Sequence, residues 1–319
     1  MDVICLGILV ADVFVDPIDA LPSGGELKLT NRFLLSAGGC AANTAACLRR
    51  LQRSVRVLGK VGTDMFGDFV ITDLKRLGID TADVKRSETH PTSATVILNV
   101  RGEDRRYVHC FGANADFSGA DVDGSALEGA RALYVGGYLA MPRFSPEDLV
   151  ELFRAAKERS LSTILDVVVP AGTALSLNQM KPILELTDVF LPNDDEARIL
   201  TGQKSPIAQA ERLTQLNPAC TVVITQGRRG ALARRGNEIL QIATFKMNSV
   251  DESGAGDAFD AGFITGLLEN WPLEQCLRFA SAVGASCTRA LGCTEGVFHF
   301  DEAMAFVAGN PIHIEKLNG

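Results

Sequence analysis

Residues 250–268 read Val-Asp-Glu-Ser-Gly-Ala-Gly-Asp-Ala-Phe-Asp-Ala-Gly-Phe-Ile-Thr-Gly-Leu-Leu, a small-residue turn that runs straight into an amphipathic helix. Gly254, Ala255 and Gly256 let the backbone approach a ligand closely, and the unpaired N–H groups of a helix's first turn carry partial positive charge. An anion such as a phosphoryl group fits there. Asp257 follows at once, placed so that its carboxylate can accept the proton of a hydroxyl attacking that phosphorus. A glycine-softened loop capped by an aspartate has the same composition, so the rest of the chain must choose between the two readings.

With 319 residues, 46% of them hydrophobic, the chain has room for one large α/β domain or two smaller ones around a sizeable core. A formal net charge of −8, with no run of Lys or Arg longer than a pair, argues against a nucleic-acid-binding surface. Eight cysteines are scattered without Cys-x-x-Cys spacing, which indicates neither a zinc site nor a disulfide framework and fits reduced thiols in a cytosol. The apolar opening over residues 3–15 has no basic leader and is interrupted by Asp12, so it predicts a buried first strand rather than a signal peptide or a membrane span.

Working outward from residue 250, strands are predicted at 3–10, 55–61, 132–135, 162–168, 188–191 and 221–225, alternating with helices at 38–51, 64–77, 146–159 and 207–216. In the helix over 38–51, Ala41, Ala45, Leu48 and Leu51 share one face; the helix over 64–77 stops at Gly78. This β-α alternation predicts a mostly parallel sheet covered on both faces. Extended segments at 93–100 and 106–111, joined by the polar turn Arg101-Gly-Glu-Asp104, break the alternation and, with residues near 12–31, predict a small separate sheet. A hairpin about Gly236-Asn237, over 230–235 and 238–243, precedes the Gly254 turn and helices at 255–269 and 273–289.

No Gly-x-x-x-x-Gly-Lys-Ser/Thr loop and no Gly-x-Gly-x-x-Gly after the first strand is present, so phosphate binding has to use another device. Gly254-Ala-Gly-Asp257, set beside Gly38-Gly-Cys-Ala-Ala-Asn43, with Asn193-Asp-Asp-Glu196 and Thr225-Gln-Gly-Arg-Arg-Gly230 in order between them, resembles the ribokinase-like carbohydrate kinases of the PfkB family. The resemblance extends over nearly the whole length. It implies a ribokinase-like α/β fold in a single domain over residues 1–319, with a central mostly parallel sheet flanked by helices. A small β-sheet lid formed by about 12–31 and 92–111 completes it. It further implies a cytoplasmic, Mg²⁺-requiring, ATP-dependent sugar kinase that phosphorylates a hydroxymethyl group, and a homodimer in which the lids pack together. A nucleoside kinase of the same family and a sugar-binding sensor without catalysis are the rival readings, since the phosphate machinery does not identify the acceptor.

Carried over residue by residue, the resemblance makes Gly254, Ala255 and Gly256 the anion hole and Asp257 the catalytic base. Asp12, Gly38, Gly39 and Asn43 become sugar-binding residues, although Asp12 can instead cap a turn. Asn193 and Glu196 match the motif that orders Mg²⁺ through water near the phosphates; the same residues also read as an N-capped helix with acids in its first turn. Thr225, Gly227 and Gly230 match the nucleotide loop, a stretch that by itself reads as a hairpin turn with two exposed cations. Some members bind a monovalent cation beside the position of Asp251, but Glu252 stands where Thr is common, which leaves potassium activation open. Asp166 lacks the Asn and Arg that accompany it in fructokinase-like members. On the lid, Arg105, Arg106, Tyr107 and His109 read either as cations for an acidic sugar or as a charge-protected edge strand; Cys40 reads as a small packing residue.

Overall fold

The computed structural model describes residues 1–103, 105–170 and 177–317. In chain order the strands are β1 (Val3–Gly7), β2 (Val10–Ile18), β3 (Phe33–Gly38), β4 (Val55–Gly62), β5 (Val84–Ser87), β6 (Ala94–Val100), β7 (Arg106–Cys110), β8 (Ala132–Gly136), β9 (Ser162–Leu165), β10 (Val189–Phe190), β11 (Thr221–Thr225), β12 (Ala231–Arg235), β13 (Glu238–Ile242) and β14 (Ile314–Leu317). The helices are α1 (Cys40–Arg50), α2 (Met65–Arg76), α3 (Pro146–Glu158), α4 (Leu177–Leu184), α5 (Asp194–Thr201), α6 (Pro206–Thr214), α7 (Ala255–Leu268), α8 (Leu273–Cys287) and α9 (Phe300–Gly309).

Strands β11-β10-β9-β8-β1-β4-β5 form a parallel array, extended antiparallel by β12, β13 and β14 into one ten-stranded sheet. Its strands are hydrophobic on both sides, as a sheet covered on two faces requires. Val3 and Cys5 of β1 pack into the core that contains α1, α2, α7 and α8, whereas Ile4 and Leu6 join the core beneath α3, α4, α5 and α6. Strand β8 divides the same way, Tyr134 facing the first core and Leu133 and Val135 the second. The predicted helical face of Ala41, Ala45, Leu48 and Leu51 is wholly buried.

Several predicted boundaries move, among them the strand expected over 162–168, which stops at Leu165. The first strand ends at Gly7, and after two residues the chain enters β2 of a second, four-stranded sheet ordered β3-β2-β6-β7. A continuous apolar run thus serves two sheets, which periodicity cannot distinguish from one longer strand. The partner of β2 is Phe33–Gly38, so residues 19–32, expected within the small sheet, contribute no strand, and Gly38 closes β3 rather than opening α1. Asp104 of the predicted 101–104 turn lies outside the described residues.

Helix α7 has almost no polar face: Ala258 through Gly266 are buried continuously. It lies between α1 and α8, and small residues set the approach. A Cβ on Gly262 would stand 2.7 Å from Ala280 Cα, closer than packed carbon atoms allow. Gly262→Ala is therefore expected to lower stability by about 1–3 kcal/mol despite alanine's better helix propensity, because backbone has to move. A denaturant titration checks this: the midpoint falls with an unchanged slope.

Candidate active site

The ends of the parallel strands and the junction between the sheets collect the polar residues, as expected for an α/β sheet whose ligands bind beyond the strand carboxyl ends. Asp12 sits on β2, paired in register with Ser36 of β3 and Thr95 of β6, and is buried. A side chain on Gly38 would collide with its carboxylate, which is the physical need for glycine there. Gly39, at φ 88°, then turns the chain into α1 and brings Asn43 to the cleft.

Across the cleft Gly254, left-handed at φ 74°, starts α7. A Cβ here would strike the backbone of Cys293, so the position excludes other residues on two grounds. The first bond into the helix is Ala258 N–H to Gly254 O at 2.9 Å, leaving the N–H groups of Gly256 and Asp257 ahead of it at the positive end of the helix, while Ala255 N–H makes a long 3.4 Å contact to Glu252 O. Asp257 Oδ2 accepts a 2.9 Å hydrogen bond from Asn43 Nδ2, joining residues 214 apart in the chain. Asn43 Oδ1 is buried and has no protein donor.

Burial raises Asp257 from the ordinary carboxylate range to about 6, with Asn43 pulling the other way and the Asp12 charge adding to the rise. Burial also takes Asp12 to about 6, against a hydrogen bond from Thr95. Two carboxylates with proton affinities near neutrality therefore lie within electrostatic reach of each other, one on the small sheet and one at the start of α7.

A third acid, Asp166, follows directly on β9 and accepts from Gly137 N–H at 3.2 Å. Its carboxylate, that of Asp257 and Cys40 Sγ lie within 4.8 Å of one another. Burial first, then the charges of Glu196 and Asp257, hold Asp166 well above the usual carboxylate range. Beneath it Tyr134 O–H donates to Asp260 at 3.0 Å. Sequence reading treated Asp166 only as a departure from fructokinases and did not single out Asp260 or Tyr134; the position of an acid one residue past a parallel strand was the available signal for Asp166.

Asn193 and Glu196 form a capping box at the start of α5, each donating its N–H to the other's side chain at 2.9 Å. Burial raises Glu196 to about 7, with the Asp195 and Asp257 charges contributing. The carboxylates of Asp166 and Asp257 lie close together and the Glu196 charge acts on Asp166; hard oxygens of this kind suit Mg²⁺. Asn193 bridges to Thr225 at the end of β11, next to the turn at Gly227–Arg229. That turn is also the hairpin between β11 and β12; Gly230 adopts φ 99°, where a side chain would collide with Ile242 O. Its exposed cations are engaged: Arg228 Nη2 lies 2.6 Å from Glu252, and Arg229 pairs with Asp194. Asp251 is buried and paired with Arg105 at 2.9 Å.

A model of the pfkB family carbohydrate kinases matches residues 1–298. The chain is 30% identical over 280 residues to the ribokinase of Bacillus subtilis (strain 168), covering 88% of this chain and 90% of the relative. The structure of Arabidopsis thaliana ribokinase complexed with ribose and ATP superposes with a TM-score of 0.79 at 23% identity, over 96% of this chain and 98% of that one. The Methanocaldococcus jannaschii nucleoside kinase shares the fold at a TM-score of 0.77 and 19% identity, over 97% and 98%. The fold is ribokinase-like. Among the described residues no helix is long and apolar enough to cross a membrane.

The raised Asp257 carboxyl has a consequence for stability. Its folded value, about 6, exceeds the ordinary 3.8, so between those values the folded state holds the proton more tightly and stability falls as pH rises. Asp257→Asn removes this penalty. Its stability advantage over the unmodified protein should be small near pH 4, grow through pH 6 and level off above, as read from denaturant midpoints across that range.

Proposed function

The chain belongs to the pfkB family of carbohydrate kinases and is an ATP-dependent sugar kinase; we propose that the transfer, to a hydroxymethyl group of the sugar, takes place between Asp12 and Asp257. The observation carrying this reading is the Asn43–Asp257 hydrogen bond, which holds a desolvated carboxylate at the N-terminus of α7 opposite Asp12. Asp12, Asn43 and the backbone at Gly38 and Gly39 hold the sugar's hydroxyls, a carboxylate and an amide each able to bridge vicinal groups. Asp257 takes the proton of the attacking hydroxyl as its oxygen bonds to the γ-phosphorus. The bond to the ADP oxygen breaks, and the N–H groups of Gly254, Ala255, Gly256 and Asp257 offset charge on the phosphoryl oxygens.

The nucleotide lies along Asn193, Thr225, Gly227 and Gly230. Magnesium, when bound, neutralises phosphate charge; Glu196, through water, is the residue that would hold it, with Asp166 contributing to the same negative field. A nucleoside acceptor remains the second reading, because the nucleoside kinase of like fold shares the same frame and a nucleoside offers the same hydroxymethyl group. Adding pentoses, hexoses, sugar acids, sugar phosphates and nucleosides in turn and following ADP decides between them.

Asp257→Ala should lower turnover at least ~100-fold while nucleotide affinity stays near that of the unmodified protein, since the base acts only on the acceptor hydroxyl. In the unmodified protein, activity should fall on the acid side with an apparent pKa near 6, the value to which burial raises Asp257. Near-normal turnover in the alanine variant refutes the assignment.

The small sheet is also the proposed lid and dimer contact. It exposes Phe33, Val96, Tyr107 and Val108, while β7 is an uncovered edge. Such an edge is hazardous alone and is protected when two copies pair. Light scattering should give twice the chain mass, and Val108→Asp should return it to one.

A further inference from the structure

The family-implied monovalent cation beside Asp251 does not fit this chain. The Asp251 carboxylate is already saturated: Oδ1 accepts from Arg105 Nη1 at 2.9 Å, from Ser253 N–H at 3.0 Å and from Ser253 O–H at 2.9 Å, and Oδ2 accepts from Gly292 N–H at 3.1 Å. Arg105 Nη1 also donates to Ser253 Oγ at 2.7 Å. A second cation on this carboxylate would meet the guanidinium's charge at contact distance. Asp251 is 2% exposed at its side chain and Arg105 21%, so the pair is largely shielded from solvent.

Arg105 comes from the other sheet. It precedes β7, on the β6–β7 connection of the small sheet, whereas Asp251 and Ser253 lead directly into the Gly254 turn. Among the described residues, other charged groups near Asp251 are Glu252, held by Arg228; Arg289, whose guanidinium donates to Gly296 O; Glu295, beside Gly292; and Asp16, Arg32, Arg101 and Glu103 on a neighbouring cleft. A cleft of about 1130 Å³ lined by Arg101, Arg105, Ser249, Asp251, Glu252 and Arg289 opens onto the pair, so a small ion has a route to the carboxylate once the arginine side chain is shortened.

We propose that Arg105 is a tethered cation: it occupies the Asp251 carboxylate in place of a diffusible monovalent ion, sets the loop that presents the Gly254 turn, and makes the protein independent of potassium. Arg105 is a positioning residue, since it touches Asp251 and Ser253 and acts on the phosphoryl cradle through them. A guanidinium suits the task because it never loses its charge and because one of its nitrogens, Nη1, donates to both Asp251 Oδ1 and Ser253 Oγ. The proposal rests on the kinase reading for its catalytic part, but the cation site itself can be read without turnover.

The test compares the unmodified protein, Arg105→Met and Arg105→Lys in buffers whose cation is either potassium or tetramethylammonium at equal ionic strength. The unmodified protein should keep kcat within about twofold on exchange of the ion; Arg105→Met in tetramethylammonium should lose about ten- to hundredfold in kcat with a nearly constant sugar KM, the scale of a misplaced catalytic frame. Potassium or free guanidinium should restore it, and Arg105→Lys should retain most activity. Independently of activity, potassium should raise the unfolding temperature of Arg105→Met and leave that of the unmodified protein unchanged. Potassium activation or potassium-specific stabilisation of the unmodified protein overturns the proposal, even if Arg105→Met does not fold. So does an Arg105→Met variant with undiminished kcat, or one whose loss neither ion repairs. If no acceptor yields ADP, the kinase reading fails while the unfolding temperatures still decide the cation site.

Discussion

Keeping one carboxylate out of water and yet basic is the constraint on which the rest of this molecule turns. Burial alone makes Asp257 hold its proton; an amide donor alone makes it a poor acceptor. The structure sets both against each other, with desolvation raising the group and Asn43 drawing it back to about 6. That balance requires α1 and α7 to lie close enough for a 2.9 Å hydrogen bond, so both helices are built from small residues at the contact. Beneath the acids, Tyr134 O–H is satisfied by Asp260, so the tyrosine does not leave an open donor there.

Two sheets share the site, and this division gives each a separate mechanical task. The large sheet ends its parallel strands at Asp166, Asn193 and Thr225, on a frame rigidly packed from both faces. The small sheet carries Asp12 and, through Arg105, reaches the loop ahead of α7. Each sheet therefore holds part of the other in place, and a shift between them would alter both the surroundings of Asp12 and the entry to α7. The ion pairs Arg228–Glu252 and Arg229–Asp194 tie the turn at Gly227–Arg229 into the same arrangement.

Much of the fold was legible because hydrophobic periodicity is a local property. The buried face of α1, the stop of α2 at Gly78 and the two-residue turn at Gly236 and Asn237 all depend on neighbours a few residues apart. Short edge strands were not: β5 and β14 are four residues each, with partly polar sequence, and exist because a neighbouring strand offers free backbone groups. The third strand of the small sheet was displaced beyond residue 31 for a related reason, since Phe33 through Leu35 is largely exposed and offers no buried stripe to read.

The site divided along the same line. Order along the chain, glycine where the backbone must take φ near 74°, and an acid directly after that turn were determined by residue type alone, because those demands are steric and local. Which acids share a field was decided only in three dimensions. Asp12, Asp166 and Asp257 come from three separate strand or helix ends, and their raised proton affinities arise from mutual burial that no spacing encodes. Likewise Arg105 and Asp251 are 146 residues apart, and only the packing of one sheet's turn against the other's helix entry makes the arginine a counter-ion. Sequence specifies the local conformations that a residue permits; long-range electrostatics belongs to the folded chain, because charge interacts through space and not along the backbone.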